Sequence, residues 1–209
     1  MSVGDSLLNL AFLYHQMGEN VTALRLVDEA LGLAQEIRHE VAVSNTLKIR
    51  GHVLVGLGRL GEATAVYEEA IAIQQASEAG NDATVLECQG GLARILGAQE
   101  AWEQALVLVE MVLAELTQAI PDSVHELPRL YLTCYHVLQA NGHRDRANEV
   151  LGHAYDWVMD RAGKITDVAR RQQYLQRVVA HREVVAAWEA GAAWEAGSTG
   201  SFGEKNRQS

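Results

Sequence analysis

The 209-residue chain carries a net charge of −10, with 48% apolar side chains, two prolines and two cysteines. Ample apolar content with little proline and few aromatic residues argues for a helical protein rather than a sandwich. Cys88 and Cys134 are too few and too far apart for a disulfide framework or a metal knuckle, which fits a reducing cytoplasm. The longest apolar runs are interrupted by Arg, Glu, Asn or Gly before 18 residues, and Met1 to Asp5 lacks a basic segment leading into an apolar one, so neither a membrane span nor a signal peptide is read.

In the first stretch Leu7, Leu10, Ala11, Leu13 and Tyr14 fall at helical spacing before Met17-Gly18, and Val21, Leu24, Val27, Ala30 and Leu31 resume the spacing after it. This predicts a helix hairpin over about 5–37. A second hairpin, about 42–79, places Leu47, Gly51, Leu54, Leu57 and Gly58 before Ala63, Val66, Tyr67, Ala70 and Ile71. Arg50 stands where the first unit has Leu10, so its stem is expected along the groove or its head in a polar contact. The third hairpin, about 83–118, should be the softest, because Glu100 replaces the turn glycine and Gly90, Gly91 and Gly97 lie inside its first helix, each costing roughly 1 kcal/mol against alanine. Gly90 and Gly91 admit either close packing of an adjacent helix or the approach of a ligand backbone.

The fourth hairpin, about 123–162, opens with Ser123 and Glu126 spaced as a capping box, or with Pro128 in a first turn. It continues through Leu130, Cys134, Tyr135 and Leu138 to Asn141-Gly142, Ala147, Val150, Leu151, Ala154 and Val158. Over 164–192 a single capping helix is expected, from about Val168 to Ala190, with Asp167 as its N-cap and Tyr174, Val178, Val185 and Trp188 as its stripe. The near-duplicate Ala186–Gly191 and Ala192–Gly197 leads into a polar, Gly- and Ser-rich tail, 193–209, expected to be disordered.

The hairpins are one unit repeated. Ala23, Ala63, Ala105 and Ala147 recur at spacings of 40, 42 and 42 residues, with Gly18, Gly58 and Gly142 five residues before three of them and Ala30, Ala70, Val112 and Ala154 seven residues after. A small residue at a fixed helical position lets two backbones approach, so the fold predicted is an all-α solenoid of four hairpins over 1–163, right-handed, closed by the capping helix. Charge is divided along it: residues 1–160 hold 9 Lys or Arg against 22 Asp or Glu, whereas 161–182 holds six basic residues against Asp167 alone. An acidic array repels phosphate backbones, so no nucleic acid is expected as a partner, and no membrane. The basic stretch reads as a solvated helix face.

The strings Leu10-Ala11 with Tyr14, Met17-Gly18 and Ala23, then Gly51, Leu57-Gly58, Glu62-Ala63, Tyr67 and Ala70, resemble tetratricopeptide repeats of the longer, roughly 40-residue kind, over about residues 5–160. Arrays of this variety are similar to those of kinesin light chains and, in bacteria, to C-terminal sensor arms of signal-transduction ATPases and transcriptional activators. The resemblance implies that the first helix of each hairpin lines a concave, partner-binding groove. By register its exposed positions are Asn9, Phe12 and Gln16, then Asn45, Lys48 and His52, then Glu87 and Arg94, then Arg129, Thr133 and His136. A carboxylate clamp of the chaperone-binding kind is not matched in the first three units, where Leu8, Phe12, Ile49, Glu87 and Gly91 stand. One unit later Lys48, His52 and Arg129 partly restore it, but Gly91 supplies nothing and Thr133 replaces a cation.

No phosphate loop, nucleophile elbow or His-Glu-x-x-His string appears, the eight histidines are dispersed, and Cys134 falls where core is expected, so neither catalysis, a metal nor a cofactor is predicted. Two functions follow as expectations. One is a protein-interaction scaffold that holds a peptide or partner helix through Asn45, Lys48, His52, Arg94 and Arg129, with Phe12 as apolar anchor. The other is an effector-sensing regulatory arm of a larger ATPase or transcriptional regulator. Its basis is the first unit, whose Leu7 and Leu10 side has no preceding helix to cover it, which predicts either a longer array or self-association.

Overall fold

The computed structural model describes residues 2–77, 82–118 and 124–203, with side chains described as far as 191. Four hairpins follow one another: α1 (Val3–Gln16) with α2 (Asn20–Glu36), α3 (Glu40–Gly56) with α4 (Leu60–Ala76), α5 (Asp82–Ala98) with α6 (Trp102–Gln118), and α7 (Leu127–Ala140) with α8 (Arg144–Gly163). Each helix packs on its hairpin mate, and the first helices α1, α3, α5 and α7 also pack on one another in order, so the chain is an all-α solenoid. The four period-setting alanines, Ala23, Ala63, Ala105 and Ala147, are each 0% exposed. They are the points where second helices approach the first helices without intervening side chains.

The hairpin turns share one hydrogen-bond pattern. Glu19, Arg59, Ala101 and His143 each donate a backbone N–H five residues back, to Tyr14, Leu54, Leu96 and Leu138, at 2.9 Å. The preceding residue must then be left-handed, and Gly18, Gly58 and Gly142 have φ of 82°, 74° and 81°. Glu100 makes the same turn at φ 59°, so the third hairpin closes like the others despite its missing glycine, with a side chain in a conformation glycine adopts more readily.

Several expectations are corrected. Glu126 is the N-cap residue of α7 but makes no side-chain cap bond; Pro128 occupies the first turn, and Ser123 lies outside the described residues. Arg50 makes a polar contact, its Nε donating to Asp28 Oδ1 at 2.7 Å, but near the surface rather than at a buried place, and its counterpart Leu10 is itself 43% exposed. The segment after α8 is two helices rather than one, α9 (Val168–Arg177) and α10 (Val179–Gly203), broken at Val178, whose ψ of 115° is extended. Asp167 caps α9 by accepting from the Arg170 N–H at 3.0 Å. The backbone of 193–203 continues α10 rather than forming a tail, and 204–209 lie outside the described residues. α10 packs on α7 and α8, burying Val184 and stacking Trp188 on Tyr155 with ring centroids 5.0 Å apart.

The interior glycines are explained by close packing. A Cβ at Gly51 or at Gly91 would overlap the Tyr67 ring, which is therefore held between α3 and α5, and one at Gly90 would overlap Leu130 of α7. No room for a ligand backbone is left beside them.

Candidate partner-binding site

The superhelix is tight enough that the first hairpin meets the last. Near the end of α1, Phe12 sets its ring edge-on to His125, with centroids 5.8 Å apart, and His15 Nε2 stands 3.1 Å from Glu126 Oε1. A methyl at Gly18 would lie 3.4 Å from Val179 at the start of α10. The inner faces of α1, α3, α5 and α7 thus enclose a space that is filled by the chain's own polar side chains.

At its centre Lys48 Nζ lies 3.0 Å from Glu87 Oε2, with both side chains 1% exposed. His52 stacks on His15, and its Nδ1 is 2.7 Å from the Tyr67 hydroxyl, while its Nε2 faces Glu87 Oε2 at 3.5 Å. Burial raises the Tyr67 hydroxyl above its usual range, so the phenol keeps its proton. In the tautomer that carries the His52 hydrogen on Nε2, toward Glu87, the phenol donates to His52 Nδ1. The other Glu87 oxygen accepts from the His125 backbone N–H. Glu126 Oε2 completes the group at 3.8 Å from His52 Nδ1.

The charges in this group balance. Burial alone would raise the Glu87 and Glu126 carboxyls, but Lys48 and His52 beside Glu87, and His52, His15 and Arg94 around Glu126, outweigh it and hold both below the usual carboxylate range. Burial holds His52 below the ordinary histidine value. At neutral pH two carboxylates therefore face Lys48 and Arg94, with a neutral His52 between them. Removing one member of so buried a group leaves an uncompensated charge and typically costs about 3–5 kcal/mol.

The expected groove residues consequently separate. Lys48, His52, Glu87 and Thr133 are not exposed positions: they are 1%, 3%, 2% and 6% exposed. The first three are locked in the ionic cluster, and Thr133 donates its hydroxyl to the Arg129 carbonyl at 3.0 Å within its own helix. Asn9 and His136 are exposed, and Phe12, Gln16, Asn45, Arg94 and Arg129 are half-buried. Asn45 accepts from Thr84 at 3.3 Å and belongs to a separate cavity of about 250 Å³ between the first two hairpins.

What stays open is the far end of the inner face. A groove of about 360 Å³ between α5 and α7 collects Arg94, Arg129, Thr133 and His136 over a floor that includes Leu132 and Val137, with Trp102 at one side. Two nitrogens of the Arg94 guanidinium, Nε and Nη2, are buried without a hydrogen-bond partner. Arg129 Nη1 donates to Glu183 of α10, whose carboxylate reaches in from the C-terminal helices. Sequence reasoning missed His15, Tyr67 and Glu126 as members of the closed cluster. The available signal was the pair Gly51 and Gly91, 40 residues apart on α3 and α5, which leaves space for one large ring.

Among the described residues no helix is long and apolar enough to cross a membrane, and no group of three or more His, Cys, Asp or Glu side chains could hold a metal ion. No curated protein matches the chain. Solved structures similar to the chain include nearly identical TPR-like repeats attributed to a kinesin light chain of Podosopora anserina. They are 20% identical, with a TM-score of 0.56, covering 98% of this chain and 97% of that one. A variant of the same repeats gives 20% identity and a TM-score of 0.55 over 91% of this chain and 96% of that one. At that identity the likeness concerns the fold. The sequence model described as tetratricopeptide repeat matches residues 2–76 and 42–114, together more than half of the chain. With its repeated hairpins, buried alanines and left-handed turn residues, the chain belongs to the tetratricopeptide repeat family.

Proposed function

We propose that this protein is an interaction scaffold whose binding site is the α5–α7 end of the inner face. A partner segment lays an apolar side chain over Leu132 and Val137 and presents a carboxylate between Arg94 and Arg129. The observation that supports this is the Arg94 guanidinium, which lines the groove: its charge offsets Glu126 in the closed cluster, but its Nε and Nη2 have no hydrogen-bond partner and are donors a ligand can satisfy. The general role of tetratricopeptide repeats, protein–protein interaction, points the same way. The reading is narrower than the whole groove, since Lys48, His52 and Glu87 are engaged with one another and the Phe12 ring is engaged with His125.

The test is a display selection of peptides on the intact chain, followed by titration of the selected peptides against Arg94→Gln and Arg129→Gln variants whose helicity is unchanged. Each variant should weaken binding at least about tenfold, the loss expected when one charged partner of a desolvated pair is removed. Unchanged affinity in both would refute the assignment.

A second reading, the effector-sensing regulatory arm, is supported by different observations. The α1 side of the first hairpin exposes Val3, Leu13 and Met17 to 72%, 53% and 40%, and the 250 Å³ cavity between the first and second hairpins has an apolar floor around Leu8 and Leu33. An apolar face of this kind is covered either by a further hairpin or by self-association. Light scattering behind size exclusion addresses the latter: a concentration-independent monomer that binds no hydrophobic dye would contradict it.

A further inference from the structure

A cavity of about 650 Å³ lies away from the inner face, where α6 and α8 diverge over α7. Its volume is within the range of peptide and small-molecule sites. Its floor is apolar, formed by Leu113, Leu116 and Val150. Its walls are aromatic and acidic. Tyr131 and His153 approach with ring centroids 6.0 Å apart, and Trp157 stands at one end. This indole already holds one guanidinium: Arg161 Cζ is 3.6 Å from the ring centroid.

The charge of the groove is not balanced. Of its cations, Arg146 is spent in a two-pronged pair with Glu110 at 2.7 and 2.8 Å, and Arg161 lies on the Trp157 ring. Glu149 and Asp156 form no ion pair among the described residues, and both are exposed along the groove. They are seven residues apart on α8, two helical turns, or about 10.5 Å along the axis. Val150, His153 and Trp157 share their face. A segment in the polyproline II conformation places residues i and i+3 on one side, about 9.3 Å apart. That span matches the carboxylate spacing within the reach of arginine or lysine side chains.

We propose that this groove binds an extended basic segment of a protein partner, with cationic side chains three residues apart on Glu149 and Asp156 and an apolar side chain between them over Leu116 and Val150. The partner is selected by charge opposite to that preferred at the Arg94–Arg129 groove, so the two sites take different segments. Aromatic walls distinguish the site from a merely acidic surface, because they give a guanidinium or ammonium a face to stack on once its charge is met.

The probe is the blocked hexapeptide Ala-Arg-Leu-Ala-Arg-Leu, titrated calorimetrically into the full chain at 150 mM salt, with the glutamine-for-arginine peptide as control. The arginine peptide should bind and the control should not. Replacing Glu149 and Asp156 together by Gln and Asn should weaken binding at least tenfold, and Trp157→Phe several-fold. Glu68→Gln with Glu69→Gln, which removes the same charge from the exposed side of α4, should leave affinity unchanged. Failure of the hexapeptide to bind, an equal loss in the Glu68/Glu69 variant, or spermidine binding as tightly as the peptide would overturn the proposal.

Discussion

The two ends of the inner face are built from the same helices in the same register, yet one is closed and the other open. At the closed end α1, α3, α5 and the start of α7 bring Lys48, His52, Glu87 and Glu126 together until their side chains are nearly inaccessible. At the open end, two turns further along α5 from Glu87 and less than one turn along α7 from Glu126, Arg94 and Arg129 border a groove of about 360 Å³. Superhelical curvature makes the difference. It carries Glu126 and His125 across to α1 at one end, whereas at the other the groove between α5 and α7 is approached from α10 by Glu183. A register taken from the repeat identifies which residues face inward, but how far inward depends on how tightly successive hairpins turn.

The largest effect should come from breaking the closed end. Lys48→Met leaves Glu87 buried without its principal cation and should cost about 3–5 kcal/mol in denaturant unfolding. A cost under 1 kcal/mol would mean that Lys48 is solvated. Next, Gly91→Ala should cost about 1–3 kcal/mol, because the Tyr67 ring must shift against α3 to admit a methyl group. Gly32→Ala in α2, with nothing within 4 Å, is the reference and should be neutral or stabilising.

Acid should act on the same end. His52 has a lower proton affinity folded than unfolded, so protonation favours the unfolded chain once pH falls below the ordinary value of 6.5. Glu87 and Glu126, held below their ordinary 4.5, contribute stability above that value which is lost as pH falls through their lower folded values. Thermal midpoints should therefore decline in two stages between pH 7 and acid, and His52→Gln should shrink the first stage, the remainder belonging to His136 and His181, which burial also holds low, and should weaken the second, because His52 helps hold Glu87 and Glu126 down.

How much of this was legible in the sequence differs between the two ends. The hairpins were, because Ala23, Ala63, Ala105 and Ala147 must be small wherever helices touch and Gly18, Gly58 and Gly142 must turn left-handed; both are local demands that leave a residue type behind. The open groove was legible in part, since Arg94, Arg129, Thr133 and His136 do gather there. The closed cluster was not. His15 meets Glu126 across 111 positions, and Glu126 at a helix start reads locally as a capping residue until the superhelix brings α1 to it. The break at Val178 was equally hidden, because the apolar stripe through Tyr174, Val178 and Val185 continues across it.

The smallest effect belongs to the open end. Glu183 occupies Arg129 from α10, and a ligand carboxylate has to displace it. Glu183→Gln should thus tighten peptides selected on the α5–α7 groove by a few-fold without altering the unfolding midpoint, whereas weaker binding would indicate that Glu183 positions Arg129 rather than competing for it.

The division into a closed end and an open end is tested most directly by a double-mutant cycle on Lys48 and Glu87, with Lys48→Met, Glu87→Leu and the pair measured by urea unfolding. Each single variant should lose about 3–5 kcal/mol and the double variant should recover at least about 2 kcal/mol of the summed loss, because a buried pair replaced together leaves no uncompensated charge. Single losses below about 1 kcal/mol that simply add would contradict the account, and would return Lys48 and Glu87 to an open, solvated groove.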